Sequence, residues 1–130
     1  MSGSVALAAL ELSRLGNSAG AIELLRSARD NGPLDEAATS LLFTLLGDRG
    51  DDIDDVEEQL VLCEHGLALA KRPITSSTWH LRRGLLLLGR GDGPAALKDL
   101  QRVLSLKATD DHLERARTSL LDVAKVMKKR

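Results

Sequence analysis

Apolar residues recur along this chain at spacings of three and four, interrupted by short polar stretches rich in glycine, aspartate and asparagine, and that alternation predicts seven amphipathic helices. Val5, Leu7, Ala8, Leu12 and Leu15 form the stripe of the first, expected from a Ser4 cap to about Leu15 and ended by Gly16. Ala21, Leu24, Leu25 and Ala28 recur in the second, which Ser18 caps and which runs to about Asn31. Gly32-Pro33 stops it, because proline cannot continue a helix and biases the residue before it. Ala38, Leu41, Leu42, Leu45 and Leu46 mark a third helix over about 35–46. Val56, Leu60, Cys63 and Leu67 mark a fourth, from about Ile53 to Lys71, whose acidic start suits the helix dipole and which Pro73 stops. A fifth helix starts from a Ser76 or Ser77 cap and reaches about Leu88, and a sixth opens with Pro94 in its first turn and reaches about Lys107. The seventh runs from an Asp110 cap to about Met127, with Leu113, Ala116, Leu120, Val123 and Met127 on one face. Lys125, Lys128, Lys129 and Arg130 complement its C-terminal dipole.

Composition supports an all-α chain. Leucine and alanine, strong helix formers, supply most of the apolar residues, and the strand-favouring aromatics make up only 2% of the 130 positions. The polar breaks repeat a signature: Gly16-Asn17, then Gly50-Asp51 after 34 residues, then Gly91-Asp92 after 41 more. A turn of one type recurring near that period between helix pairs indicates a helical repeat array.

The stretch from Gly84 to Leu106 carries the clearest repeat. Gly84 is the small residue where two helices approach, Leu87 precedes the Gly91-Asp92 turn, and Ala96, Leu100, Leu104 and Leu106 follow on the second helix. Ala9, Leu12, Gly16-Asn17, Ala21, Leu25, Ala28 and Pro33 fall in the corresponding places of the first hairpin. These positions resemble the tetratricopeptide repeat. The second hairpin keeps Leu42, Leu46 and Gly50-Asp51 but has Phe43 at the small position and about seven extra residues before the next repeat. In the third, Arg83, His80 and Ala108 stand where the family has Leu, Trp and Pro.

The resemblance implies a single domain, a right-handed α-solenoid of three hairpins (about 4–33, 35–73 and 76–107) with a capping helix over about 110–128. It implies a protein–protein adaptor or scaffold that holds a peptide or helix of a partner protein in a concave groove lined by the first helix of each hairpin. The positions matching the groove-facing residues are Leu10, Arg14, Thr44, Thr78, Leu81, Arg82, Leu85 and Leu88. For Leu81, Leu85 and Leu88 a second reading stands beside this one: burial under the sixth or the terminal helix, since the run from Leu85 to Leu88 is apolar all round. One branch of the family clamps the C-terminal carboxylates of chaperones. Its clamp positions fall on Ala6, Leu10, Leu41, Thr78 and Arg82, of which only Arg82 agrees, so that ligand is not expected.

Charge changes the picture in one respect. Residues 1–70 carry 4 Lys+Arg against 13 Asp+Glu, and residues 71–130 carry 14 against 6, so a net −1 divides into −9 and +8. The alternative function this opens is a self-assembling module whose acidic N-terminal and basic C-terminal ends attract. The basic residues Lys71, Arg72, Arg82, Arg83, Arg90, Lys98, Arg102 and Lys107 also admit an acidic partner. Nucleic acid is disfavoured, because Trp79 is the one residue available for stacking among them and the overall charge is not basic. The acidic run Asp48, Asp51, Asp52, Asp54, Asp55, Glu57 and Glu58 lacks calcium-loop spacing and reads as a solvated loop and helix start. Arg49-Gly50-Asp51 and Arg90-Gly91-Asp92 are explained as turns, not adhesion motifs.

Catalysis has few candidates: Cys63 with His65, His80 and His112. Cys63 and His65 lie two apart on a helix and face different ways, and Cys63 sits on an apolar stripe as a core thiol. With no phosphate loop, nucleophile elbow or paired ligands, the expectation is no enzyme, no metal, no cofactor and no small-molecule substrate. One cysteine, no signal peptide and no membrane span point to the cytoplasm, and to a monomer or weak homo-oligomer.

Overall fold

A computed structural model describes the backbone of residues 2–50 and 52–128, and the side chains of residues 5–50 and 52–128. The described residues form seven helices and no strand, the all-helical class that the periodicity predicts. They are α1 (Ser2–Arg14), α2 (Ser18–Asp30), α3 (Glu36–Arg49), α4 (Ile53–Leu69), α5 (Pro73–Gly89), α6 (Gly93–Ser105) and α7 (Asp110–Lys128). They divide into two compact units, Met1–Leu69 and Ala70–Arg130.

In the first unit, α1 packs on α2 and α3, α2 on α3, and α3 on α4. Its core gathers Ala9, Ala21, Ile22, Leu25, Leu34, Ala38, Leu42, Leu45, Leu46 and Leu62, with Val5, Leu12, Leu24, Ala28 and Phe43 packed at its edge. Three of these core residues are alanines with no exposed surface, and their small side chains let the helix backbones come close.

The turn between α1 and α2 explains why glycine is followed by asparagine. Gly16 adopts φ +85°, a left-handed conformation that glycine takes without a Cβ clash. The Asn17 N–H then reaches back to the Leu12 carbonyl at 2.8 Å, the bond of a Schellman motif. The Asn17 side chain in turn accepts a hydrogen bond from the Gly20 N–H at 2.9 Å and caps α2. One residue thus closes the first helix and opens the second. The α5–α6 turn repeats the device: Gly91 has φ +80°, the Asp92 N–H bonds the Leu87 carbonyl at 2.9 Å, and Asp92 Oδ1 accepts from the Ala95 N–H at 3.2 Å. Gly50 differs, with φ +128° and ψ −157°, and α3 runs on to Arg49. Asp51 lies outside the described residues.

In the second unit, α5, α6 and α7 each touch the other two. Leu81, Ala96, Leu100, Val103, Ala116 and Val123 make the core, with Leu85, Leu87, Leu88, Leu97 and Leu120 packed on it. At the α5–α6 crossing a Cβ on Gly84 would lie 3.1 Å from Leu100 Cδ2 and 3.3 Å from Asp99 Cβ, so the missing side chain is what admits Leu100.

Several helix boundaries differ from the sequence reading, each for a local reason. Asn17, not Ser18, caps α2. α1 is already helical at Ser4, whose side chain lies outside the described residues. Pro73 does not merely follow α4, which ends at Leu69; it opens α5 with its fixed φ and its missing N–H, so Ser76 and Ser77 fall inside the helix. The Ser77 hydroxyl donates to the Ile74 carbonyl at 2.7 Å instead of capping. α7 begins at Asp110 itself, and Thr109 supplies the cap, its Oγ1 accepting from the His112 N–H at 3.2 Å. Lys129 and Arg130 lie outside the described residues.

Candidate functional site

The residues expected to line a groove fall into two sets. In the first unit, Leu10 on α1 is half-buried, and Arg14 at the end of α1 is exposed and 3.8 Å from the Glu11 carboxylate. Thr44, on the neighbouring helix α3, is exposed, and its hydroxyl donates to the Ser40 carbonyl at 3.0 Å. In the second unit all five candidates lie on α5. Leu81 is 8% exposed and belongs to the core with Ala96, Leu100 and Ala116, and Leu85 and Leu88 pack against that core. Of the two readings open for these leucines, burial holds for Leu81, while Leu85 and Leu88 are half-buried at the edge of the core. Thr78 and Arg82 are half-buried, with the Thr78 hydroxyl donating to the Ile74 carbonyl at 3.1 Å. The Arg82 guanidinium carbon sits 4.6 Å from the centre of the Trp79 ring, a cation–π contact that covers one face of the indole.

Two ion-pair clusters hold the helices in place. In the first unit Glu58 accepts from Arg26 through both oxygens, at 2.6 and 3.2 Å, and from Arg29 at 2.8 Å. Asp55, one turn earlier on α4, accepts two bonds from Arg49 at 2.6 and 3.0 Å. Burial works against ionisation of Glu58 and is the largest single influence on it, yet the bonds from Arg26 and Arg29 together outweigh it and hold the carboxyl below its ordinary range. The Arg49 bonds lower Asp55 in the same way. Asp55 and Glu58 are therefore not part of a solvated acidic helix start: Asp55 is 8% exposed, and both carboxylates face inward to arginines of α2 and α3.

A depressed folded-state pKa gives stability that is complete above the unfolded value, 4.5 for glutamate, and that disappears as pH falls through the lower folded value. Glu58→Gln should therefore be about 1–3 kcal/mol less stable than wild type at neutral pH. The gap should close as both proteins are taken below pH 4. Urea unfolding followed by circular dichroism at each pH measures it, and a gap independent of pH would contradict the assignment.

In the second unit Asp99, 4% exposed, accepts from Arg83 Nε and Nη2 at 2.8 Å each and from His80 Nδ1 at 2.9 Å. Arg83 thus leaves the basic face assigned to it from the sequence and becomes an α5–α6 tie. His112 Nδ1 lies 3.1 Å from Ser77 Oγ. Because the Ser77 proton goes to the Ile74 carbonyl, the imidazole donates here, and this serine–histidine pair joins α7 to α5 without an activated hydroxyl. His65 Nε2 donates to the Leu34 carbonyl at 2.8 Å. Cys63 is buried. Among the described residues, no group of three or more His, Cys, Asp or Glu is placed to hold a metal ion. No helix among them is long and apolar enough to cross a membrane.

One feature was not expected from the sequence. An apolar recess of about 190 Å³ opens in the first unit, lined by Arg29, Pro33, Leu34, Val61, Leu62 and His65. The His65–Leu34 bond and the Arg29–Glu58 bond fix its walls, while Val61 is 60% exposed at its edge. The signal was present: Val61 lies off the apolar stripe of α4 and has no place in the helix's own core face.

No family model, curated protein or solved structure matches the chain.

Proposed function

We propose that this chain is a tetratricopeptide-type α-solenoid and acts as a protein–protein adaptor, without catalytic activity, that holds a peptide or helix of a partner protein on the surface of its first-of-pair helices in the cytoplasm. The observation that carries the reading is the repeated Gly-Asx turn, in which one residue both ends a helix and caps the next; it sits at equivalent places between α1 and α2 and between α5 and α6. Within each unit the first helix also touches the second and the third, the neighbour pattern of stacked hairpins. The residues proposed to meet the partner are Leu10, Arg14 and Thr44 in the first unit and Thr78 and Arg82 in the second, which keep accessible surface where Leu81 does not.

The test is affinity capture with immobilised wild type and with an Arg14→Glu/Thr44→Glu variant of matching helicity. A protein retained by wild type and lost by the folded variant supports the reading; equal retention by both refutes it.

A further inference from the structure

The outer arc of α4 carries exposed apolar residues among exposed carboxylates. Ile53, Val61 and Ala68 share about 100° of the helix circumference with Asp54 and Glu64. Val61 is also a wall of the recess against Pro33 and Leu34, so an apolar side chain arriving at this arc finds a depression to fill. The first unit has 4 basic residues against 13 acidic ones, net −9. Its four arginines already bond its own carboxylates: Arg14 with Glu11, Arg26 and Arg29 with Glu58, and Arg49 with Asp55. Asp54 and Glu64 are exposed on the outer arc of α4.

The second unit offers the complement. It has 14 basic residues against 6 acidic ones, net +8. On the outer face of α7, Leu121 is 67% exposed. Arg117 lies four residues before it, Lys125 four after and Lys128 seven after, so all three cations share its strip of the helix. Glu114, on the same strip, lies 4.0 Å from Arg117. An exposed apolar side chain on a strip rich in cations is complementary in charge to the arc of α4, where exposed apolar residues stand among carboxylates.

We propose that α7 of one copy docks its outer face antiparallel on α4 of a second copy, with Leu121 seated against Val61, Lys128 facing Asp54 and Arg117 facing Glu64. This goes beyond the adaptor reading, since it concerns neither α1 nor α3. The two faces differ, so each copy keeps one of each unused, and the contact is heterologous: it extends into chains or closes into a ring. Its electrostatic part is screened by salt, with a Debye length of about 10 Å at 0.1 M and about 3 Å at 1 M.

The experiment is sedimentation of the full chain across concentration and salt, for wild type, Val61→Asp, Leu121→Asp and an equimolar mixture of the two variants. Both substitutions fall at exposed positions, and circular dichroism checks the fold. Wild-type mass should rise with concentration at low salt and fall back near 1 M, and each variant alone should stay monomeric. The mixture should form a species of twice the monomer mass and stop there, because only one good recess and one good knob remain between the two. Glu64→Lys with Arg117→Glu repeats the mixing test should either aspartate variant unfold. A wild type monomeric throughout, a mixture that stays monomeric, or self-association that neither variant weakens overturns the proposal.

Discussion

Leu100→Ala should destabilise the α5–α6–α7 unit by about 2–5 kcal/mol, toward the upper half of that range. Leu100 has no exposed surface and fills the space left by the absent side chain of Gly84, with its Cδ2 only 3.1 Å from where a Cβ there would lie. Truncation leaves a cavity facing Gly84, which has no side chain to fill it, within the core shared with Leu81, Ala96, Val103 and Ala116. Leu121→Ala, at a 67% exposed position on α7, should by contrast stay within about 0.5 kcal/mol of wild type. Urea denaturation gives both values, and hydrogen exchange should show protection falling across α5–α7 for Leu100→Ala. A loss below about 1 kcal/mol would mean that the α5–α6 crossing is not packed around this residue.

Asp99→Ala should lose about 2–4 kcal/mol. The aspartate is 4% exposed and takes three hydrogen bonds, two from one guanidinium and one from an imidazole. Its removal takes the bidentate acceptor from Arg83, whose side chain is 29% exposed, and the acceptor of His80 Nδ1 along with it. Most of the loss is the desolvation of those donors, not the attraction itself. Asp99→Leu combined with Arg83→Met should therefore recover more than half of it, and a double-mutant cycle measures the coupling. Additive losses would show that Arg83 and Asp99 are not the pair that ties α5 to α6.

Much of this fold is readable in the sequence because its helices bury one face each. Of the stripe Leu113, Ala116, Leu120, Val123 and Met127, the middle three join the core on α5 and α6 while Met127 is 41% exposed, and Leu85, Leu87 and Leu88 of the apolar run on α5 pack on the same core. Cap positions were harder to read. Asn17 and Asp92 each serve two helices at once, so the serine beside Asn17 resembled a cap that it is not, and Pro73 both follows one helix and opens the next.

The polar pairs were harder still. Arg26 with Arg29 and Asp55 with Glu58 show the three-residue spacing of helix neighbours, but which charged face meets which depends on how α2, α3 and α4 pack, and nothing local encodes that. The recess shares this origin: Pro33 and Leu34 belong to a connection and Val61, Leu62 and His65 to a helix almost thirty residues on, so only the packed chain brings them together.

The adaptor account is tested most directly by nuclear magnetic resonance, with the labelled chain titrated with the segment of a captured partner protein. The account predicts amide shifts at Leu10, Arg14 and Thr44 in the first unit and at Thr78 and Arg82 in the second. Shifts confined to the surroundings of Val61 and Leu121, or no shifts at the five named residues at saturating partner, would contradict it.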